Sequence, residues 1–468
     1  MTQLALLHSG LTGRIVRCLL INRNFKKKVN LKAILLATTF WLSFLTWGLV
    51  EAVDTTRDDI TVWLNESVYS DPPAAGTIIG VNDLDRVRSY IPPGYIEEFA
   101  YPGSVIAIQP TMNYPGHSTY REATERFKGQ ARLGSGGALE NYTAGRPFSD
   151  EQISMASPPN AGLMVGWNQI HRWQGSGYQV DELSMSYLSP TGTDEASGAV
   201  PGFEGLGIVE RRLTQKFHRV YLNRLAWMPD DNYRIDVPDS DKRFYKDYIE
   251  FLGPFNVAGT KFVIERSINP HEDDQVNTYL PTERRVRRLS AKERADSFMG
   301  SDVTLDDFDG FAGRVLDYSW TYLGKKKILD VIDTQEPLLR FGGPLSRAII
   351  DQWQLRDCHV VEQRPTWEGH PYESKVLFID DETYDVAFAL AFNHEKKLWK
   401  VFDPVYRGAR DEGRHLETSV SSWRGQINID VIRGTATAVQ AITDTLHPKM
   451  KPSKIKRIFS VSSLTSGQ

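Results

Sequence analysis

The chain has 468 residues, 41% hydrophobic and 24% charged, with a formal net charge of −4. That is ordinary globular composition with length enough for a sizeable core. The first 52 residues hold seven Lys/Arg and one acid, so 48 basic and 58 acidic residues remain beyond them, a net of about −10. An acidic body argues against nucleic acid as a main partner, because phosphate binding takes clustered Lys/Arg.

In chain order, Lys26-Lys27-Lys28 precede an apolar run from Ala33 to Val50, and Val50-Glu51-Ala52 closes it. A basic start, an apolar stretch and a small-residue exit describe a cleavable signal peptide over 1–52, with an over-long N-terminus. The run 33–50 approaches spanning length, so an inner-membrane anchor stays open as the alternative. Cys358 is the single cysteine beyond that segment, so the exported body has no intramolecular disulfide and must be held by its core.

The stretch 53–207 reads as helix- and loop-rich. Asn82-Asp83 caps a short helix that ends before Pro92-Pro93-Gly94, and Tyr120 to Lys128 is a second. Gly134 to Pro159 reads as loop with brief strands, and Ser189 to Gly207 as a long Gly/Pro/Thr-rich connection. From 208 to 447 strands dominate. Arg211–Asn223, Phe244–Leu252 and Lys261–Ile268 are aromatic or β-branched runs bounded by turn signals. Val376–Ile379, Tyr384–Phe392, Leu398–Val405 and Ile427–Val431 form a hairpin series. Within it, bulky residues alternate with mostly alanines after Tyr384. Thr435 to Leu446 is expected to be an amphipathic helix, with Val439, Ile442 and Leu446 on one stripe. The segment 448–468 is a basic, then Ser-rich tail expected to lack fixed structure. Short turns between consecutive strands imply antiparallel pairing, so the expected class is α+β with a large curved antiparallel sheet.

Catalytic and cofactor motifs are missing. There is no HExxH and no Gly-x-Ser-x-Gly, and Gly134–Leu139 fails the dinucleotide fingerprint. A calcium loop at Asp307–Gly310 lacks its first and twelfth ligands, with Leu305 and Leu316 in those places. Cys358 and His359, as neighbours on a strand, point to opposite faces, which favours a structural thiol. No enzyme activity, cofactor or metal is expected.

The most distinctive stretch is Tyr279–Phe311. Arg284, Arg285, Arg287, Arg288 and Arg294 lead into Phe298-Met299-Gly300, and Asp302, Asp306, Asp307 and Asp309 follow. Three readings stay open: arginines and aspartates bracing a sheet edge, a docking surface for a partner or anionic head group, or a carboxylate site of an exported hydrolase.

Three blocks carry a family resemblance. They are Gly137–Phe148, then Ala161–Gly175 with Trp167-Asn168 and Arg172-Trp173, then YLPTERRVRRLS with DSFMGSDVTLDDFDGFAGRVLDYSW. On these the chain resembles domain-of-unknown-function family 1329, exported proteins of Gram-negative bacteria, and through it the LolA/LolB superfamily of lipoprotein carriers. The resemblance implies an incomplete antiparallel barrel wrapped around helices, and a periplasmic carrier for a lipid or other hydrophobic molecule. It further implies work with an envelope transporter of the resistance-nodulation-division type or with an outer-membrane component. It brings no catalytic residues. Apolar cavities bind through area burial, so Tyr384, Phe388, Leu390 and Phe392 are the candidate cavity lining. Arg284, Arg285, Arg287, Arg288, Asp302, Asp306 and Asp307 are the candidate docking or bracing set.

Overall fold

The computed structural model describes residues 55–66, 72–190, 202–203, 209–228, 232–409 and 415–465. The proposed signal segment and most of the 189–207 connection lie outside them. Asp54–Gln468 forms one compact unit.

The strands in chain order are β1 (Ile78–Gly80), β2 (Val105–Ile108), β3 (Arg132–Leu133), β4 (Leu139–Glu140), β5 (Gly177–Leu188), β6 (Val209–Tyr221), β7 (Arg243–Gly253), β8 (Lys261–Ser267), β9 (Gln275–Leu280) and β10 (Arg285–Leu289). They continue as β11 (Tyr318–Asp330), β12 (Phe341–Gly342), β13 (Ala348–Ile349), β14 (Gln352–Pro365), β15 (Ser374–Asp380), β16 (Val386–Phe392), β17 (Leu398–Arg407), β18 (Ser422–Asp430) and β19 (Thr435–Ala441). Fifteen of them form a single open sheet in the order β1-β2-β14-β15-β16-β17-β18-β19-β5-β6-β7-β8-β9-β10, with β11 also on β14. The pairing is antiparallel apart from β14 on β2. The fold is α+β, and the one sheet spans position 207, because β5 pairs both β19 and β6.

The expected helix at Thr435–Leu446 is instead strand β19. Thr435, Thr437 and Val439 alternate with Ala436 and Ala438, and the segment hydrogen-bonds to β18 on one side and β5 on the other. Two waiting strand edges outweigh a helical stripe that leaves Leu446 largely exposed. A helix at Asp150–Met155 sits inside the stretch read as loop, started by a capping box between Ser149 and Gln152. The next helix, Pro158–Ile170, looks broken by Gly162 and Gly166. Both glycines face β11, where a Cβ would come within 2.9 Å of the Thr321 nitrogen and 3.1 Å of the Trp320 ring. They let the helix lie against the strand. The C-terminal tail also has structure: a helix at Pro452–Ile458 buries Ile455 and Phe459 against the β6–β7 region.

β14–β17 are covered on both faces. On one face Phe388, Leu390 and Phe392 pack with Trp63, Tyr95 and Phe99 from the N-terminal segments. On the other, Ala389 and Ala391 pack with Ala161 and Val165 of the long helix. Six adjacent strands, β18, β19, β5, β6, β7 and β8, each put a side chain onto one cavity of about 40 Å³. At about 4.8 Å between neighbouring strands a flat sheet would spread them over roughly 24 Å, so the sheet bends around this point.

Candidate functional site

The bent face is closed by the segment Ser290–Asp317. Its entry is fixed by a capping box in which Ser290 and Glu293 satisfy each other's backbone. Two reversals then shape it, with left-handed Met299 and Asp309 each followed by a left-handed glycine, Gly300 and Gly310. Gly310 is required by space as well, since a Cβ there would sit 2.5 Å from Val386.

The acidic half of this lid is anchored in the interior. Asp307 accepts from Lys375 at 2.7 Å and from the Tyr372 hydroxyl at 2.7 Å, and Lys375 also donates to the Gly310 carbonyl. Burial pushes the Asp307 carboxyl up, but Lys375 and Lys400 outweigh it and hold the group below its ordinary value. Asp309 is held by Arg172 and by the Tyr406 hydroxyl at 2.5 Å, and Arg172 also reaches Asp385 at 2.7 Å. Burial raises Asp385 to about 6 despite that arginine. Asp306 pairs with Arg294 at 2.8 Å, and Arg294 also contacts Asp274 at 3.3 Å. Asp302 accepts from the hydroxyls of Thr435 and Thr437 at 3.1 and 3.2 Å, and its carboxyl is raised by burial.

The lid's tip is held differently. Tyr187 Oη and Arg211 donate to the Met299 carbonyl at 2.9 and 3.1 Å, and Phe298 lies against Phe251 and Phe262. Beneath it lies the 40 Å³ chamber, walled by Met185, Phe217, Ile249 and Ile264 from the sheet and by Phe298, Leu305 and Phe308 from the lid. Its polar floor is Arg219, bound bidentately to Asp247 at 2.6 and 2.8 Å, and Gln215, whose Oε1 has no hydrogen-bond partner among the described residues.

The predicted site residues fall in different places. Phe388, Leu390 and Phe392 are fully buried in closed packing with the N-terminal segments, and none lines a cavity described here. Tyr384 is not on their stripe. Phe378 and Ile379 pair with Phe388 and Val386, so Ala387 bulges out and Tyr384 and Val386 turn to the other face. There Tyr384 stacks on His359 at 5.6 Å. Across the glycine the two blocks make a single pair: of the five arginines only Arg294 reaches one of the four aspartates, Asp306. Arg284 in the preceding turn and Arg285, Arg287 and Arg288 on β10, the outer strand of the sheet order, stand exposed, while Asp302, Asp306 and Asp307 point inward. The buried partners Arg172, Lys375 and Lys400 were legible only as lone charges in otherwise apolar or buried stretches, a pattern that calls for a hidden counter-charge.

A wider cleft of about 490 Å³ lies elsewhere, between Tyr120, Arg146, Trp173 and the Asp381–Asp385 turn. Its lining is rich in ionic groups, which does not suit an apolar ligand. A small chamber of about 50 Å³ lies between Trp167, Phe244 and Pro270. Among the described residues no group of three or more His, Cys, Asp or Glu is placed to hold a metal, and no helix is long and apolar enough to cross a membrane.

A family model described as a protein of unknown function, DUF1329, matches residues 78–465, from β1 through the lid to the C-terminal helix. The chain belongs to the DUF1329 family. An uncharacterized protein of Pseudomonas aeruginosa is 23% identical over 347 residues, 69% of this chain and 67% of its own length. Among solved structures, a DUF1329 family protein from Desulfovibrio piger is 16% identical, with a TM-score of 0.43 over 66% of this chain and all of its own. A LolA superfamily protein from Nitrosomonas europaea is 12% identical, with a TM-score of 0.36 over 64% of this chain and 97% of its own. The DUF1329 match takes in both the chamber and the lid that closes it.

Proposed function

We propose that this protein is a periplasmic carrier for a lipid or other hydrophobic molecule, receiving it from or passing it to an envelope transporter or outer-membrane component. The observation that carries the reading is the apolar chamber on the bent face, roofed by a segment whose anchor is ionic and whose tip is apolar. Pockets for drug-sized ligands run to about 300–1,000 Å³, and the chamber has about 40 Å³, so cargo enters by displacement of the roof. The tip is the part that moves. It is held by two hydrogen bonds to one carbonyl and by aromatic contact, whereas Asp302–Asp309 is tied to the sheet by buried ion pairs and hydroxyls. An acyl chain would then replace Phe298 against Phe251 and Phe262, exchanging one apolar contact for another at small net cost. The role is binding, with no chemistry on the cargo.

Organic extraction of protein isolated from the periplasm is expected to return a bound apolar molecule. Loosening the tip with Phe298→Ala is expected to increase uptake of a fluorescent fatty acid several-fold. Protein that extracts empty and takes up no probe even with Phe298→Ala would sink this reading.

A further inference from the structure

We infer that the end of the sheet formed by the β7–β8 and β9–β10 turns is a docking surface for an anionic lipid membrane. Lys261 at the start of β8 lies opposite Tyr279 near the end of β9, which brings both turns to the same end. They also touch, since a Cβ on Gly259 would meet Pro281 at 3.3 Å. At the apex of the first turn Phe255 is 98% exposed, and Leu252 on the same hairpin is 41% exposed. The second turn carries Arg284 and leads into Arg285, Arg287 and Arg288, all exposed. Arg285 and Arg287 share one carboxylate, Glu283, at 3.3 and 2.6 Å. The side chains of Arg284 and Arg288 make no hydrogen bond or ion pair among the described residues.

Four guanidinium groups against one carboxylate, with Arg285 and Arg287 on one face of β10, Arg288 on the other and Arg284 in the turn, make this sheet edge basic on a body whose net charge is about −10 beyond residue 52. Weakly hydrated, planar guanidinium groups suit phosphate oxygens. Charge on an outer strand can also serve to block strand pairing, but that purpose does not call for a phenylalanine thrust into water beside it. An exposed aromatic residue on one turn with arginines on the turn it touches matches the layered chemistry of a membrane interface, apolar below and anionic at the surface. Neither Phe255 nor any of the four arginines lines a cavity described above, which fits a deformable lipid surface better than a small-molecule ligand. Val257 and Leu289, from the same two hairpins, pack into the cluster around the chamber, so a docked membrane would lie at the chamber's rim. The inference rests on charge and exposure and holds whether or not the chamber carries cargo.

The test uses the compact body Asp54–Gln468 and cargo-free vesicles. It is expected to bind vesicles of phosphatidylethanolamine with phosphatidylglycerol, to bind phosphatidylcholine vesicles much less, and to lose binding as salt rises. Arg284→Gln with Arg288→Gln should lower partitioning by about fivefold for each arginine, with thermal stability unchanged. Phe255→Ser should lower it by about a further fivefold to tenfold. Phe255→Trp supplies a second readout, a blue-shifted emission with anionic vesicles alone. Absent binding, equal binding to neutral vesicles, or an unshifted Trp in the vesicle-bound protein overturns the inference, as does dependence on an acidic protein instead of lipid. Failure here with cargo still extracted from periplasmic protein leaves the carrier reading standing. Vesicle binding by protein that never holds cargo does the reverse.

Discussion

Two halves of one 33-residue stretch, Tyr279–Phe311, meet opposite fates. The arginines of β10 stay in water around a single glutamate. Four aspartates of the lid go inside, each onto its own partner: Asp302 on two threonines, Asp306 on Arg294, Asp307 on Lys375, Asp309 on Arg172 and Tyr406. The difference lies in what separates the charges. Between the aspartates run Val303, Leu305, Phe308 and Phe311, which pack against the sheet and carry the carboxylates in with them. Among the arginines of β10 stands only Val286, with Leu289 after them, and both are only half-buried on an outer strand. Formal charge is therefore a poor guide to solvation, and the apolar residues interleaved with it are a better one.

The contrast can be broken experimentally. Lys375→Met should be the most damaging change, about 3–5 kcal/mol in urea unfolding, because it leaves Asp307 buried and unpaired. A loss under about 1 kcal/mol would mean that the acidic half is not anchored as described. Gly310→Ala should cost about 1–3 kcal/mol, through a left-handed backbone and a Cβ 2.5 Å from Val386. A neutral effect on thermal unfolding would show that the lid relaxes freely at that turn.

The buried carboxylates also differ in pH sign. Asp385 titrates near 6 in the folded protein against an ordinary value of 3.8, so the folded state binds more protons between the two. The stability it contributes is full below about 4 and is lost as pH rises through about 6, at up to about 1.4 kcal/mol per pH unit. Asp385→Asn should flatten that part of the profile. Asp307, held below 3.8, acts oppositely: its contribution is present above that value and is lost as pH falls through its lower folded value. A stability curve unchanged in slope by Asp385→Asn would refute the assignment. The smallest effect belongs to the arginine half. Arg288→Gln should shift stability by less than about 0.5 kcal/mol, and a larger loss would place Arg288 in a bracing role.

Much of the sheet was legible because strands that bury one or both faces repeat with period two or run continuously apolar, as in β6, β7, β8 and β15. The strand Thr435–Ala441, inside the expected helix Thr435–Leu446, is hidden in the sequence because its alternation is carried by threonine and alanine, and only the open edges of β18 and β5 decide in favour of a strand. The helix Pro158–Ile170 was hidden by glycines that serve contact with β11. For the cavity candidates the pattern leaves something else open. Bulk and alternation at Phe388, Leu390 and Phe392 show that one face is buried, but not whether a ligand or the chain's own Tyr95 and Trp63 fills it.

The sequence by itself determined the family, the dominance of antiparallel strands and the special standing of Tyr279–Phe311, since motif spacing and period-two patterning are local properties. The tertiary structure decided which charges are buried, where a bulge turns Tyr384 away from its neighbours, and that the apolar chamber lies under the lid rather than along β16. Several of the buried charges depend on contacts between segments more than a hundred residues apart, such as Asp309 with Arg172 and Asp302 with Thr437, and no local pattern encodes such pairings.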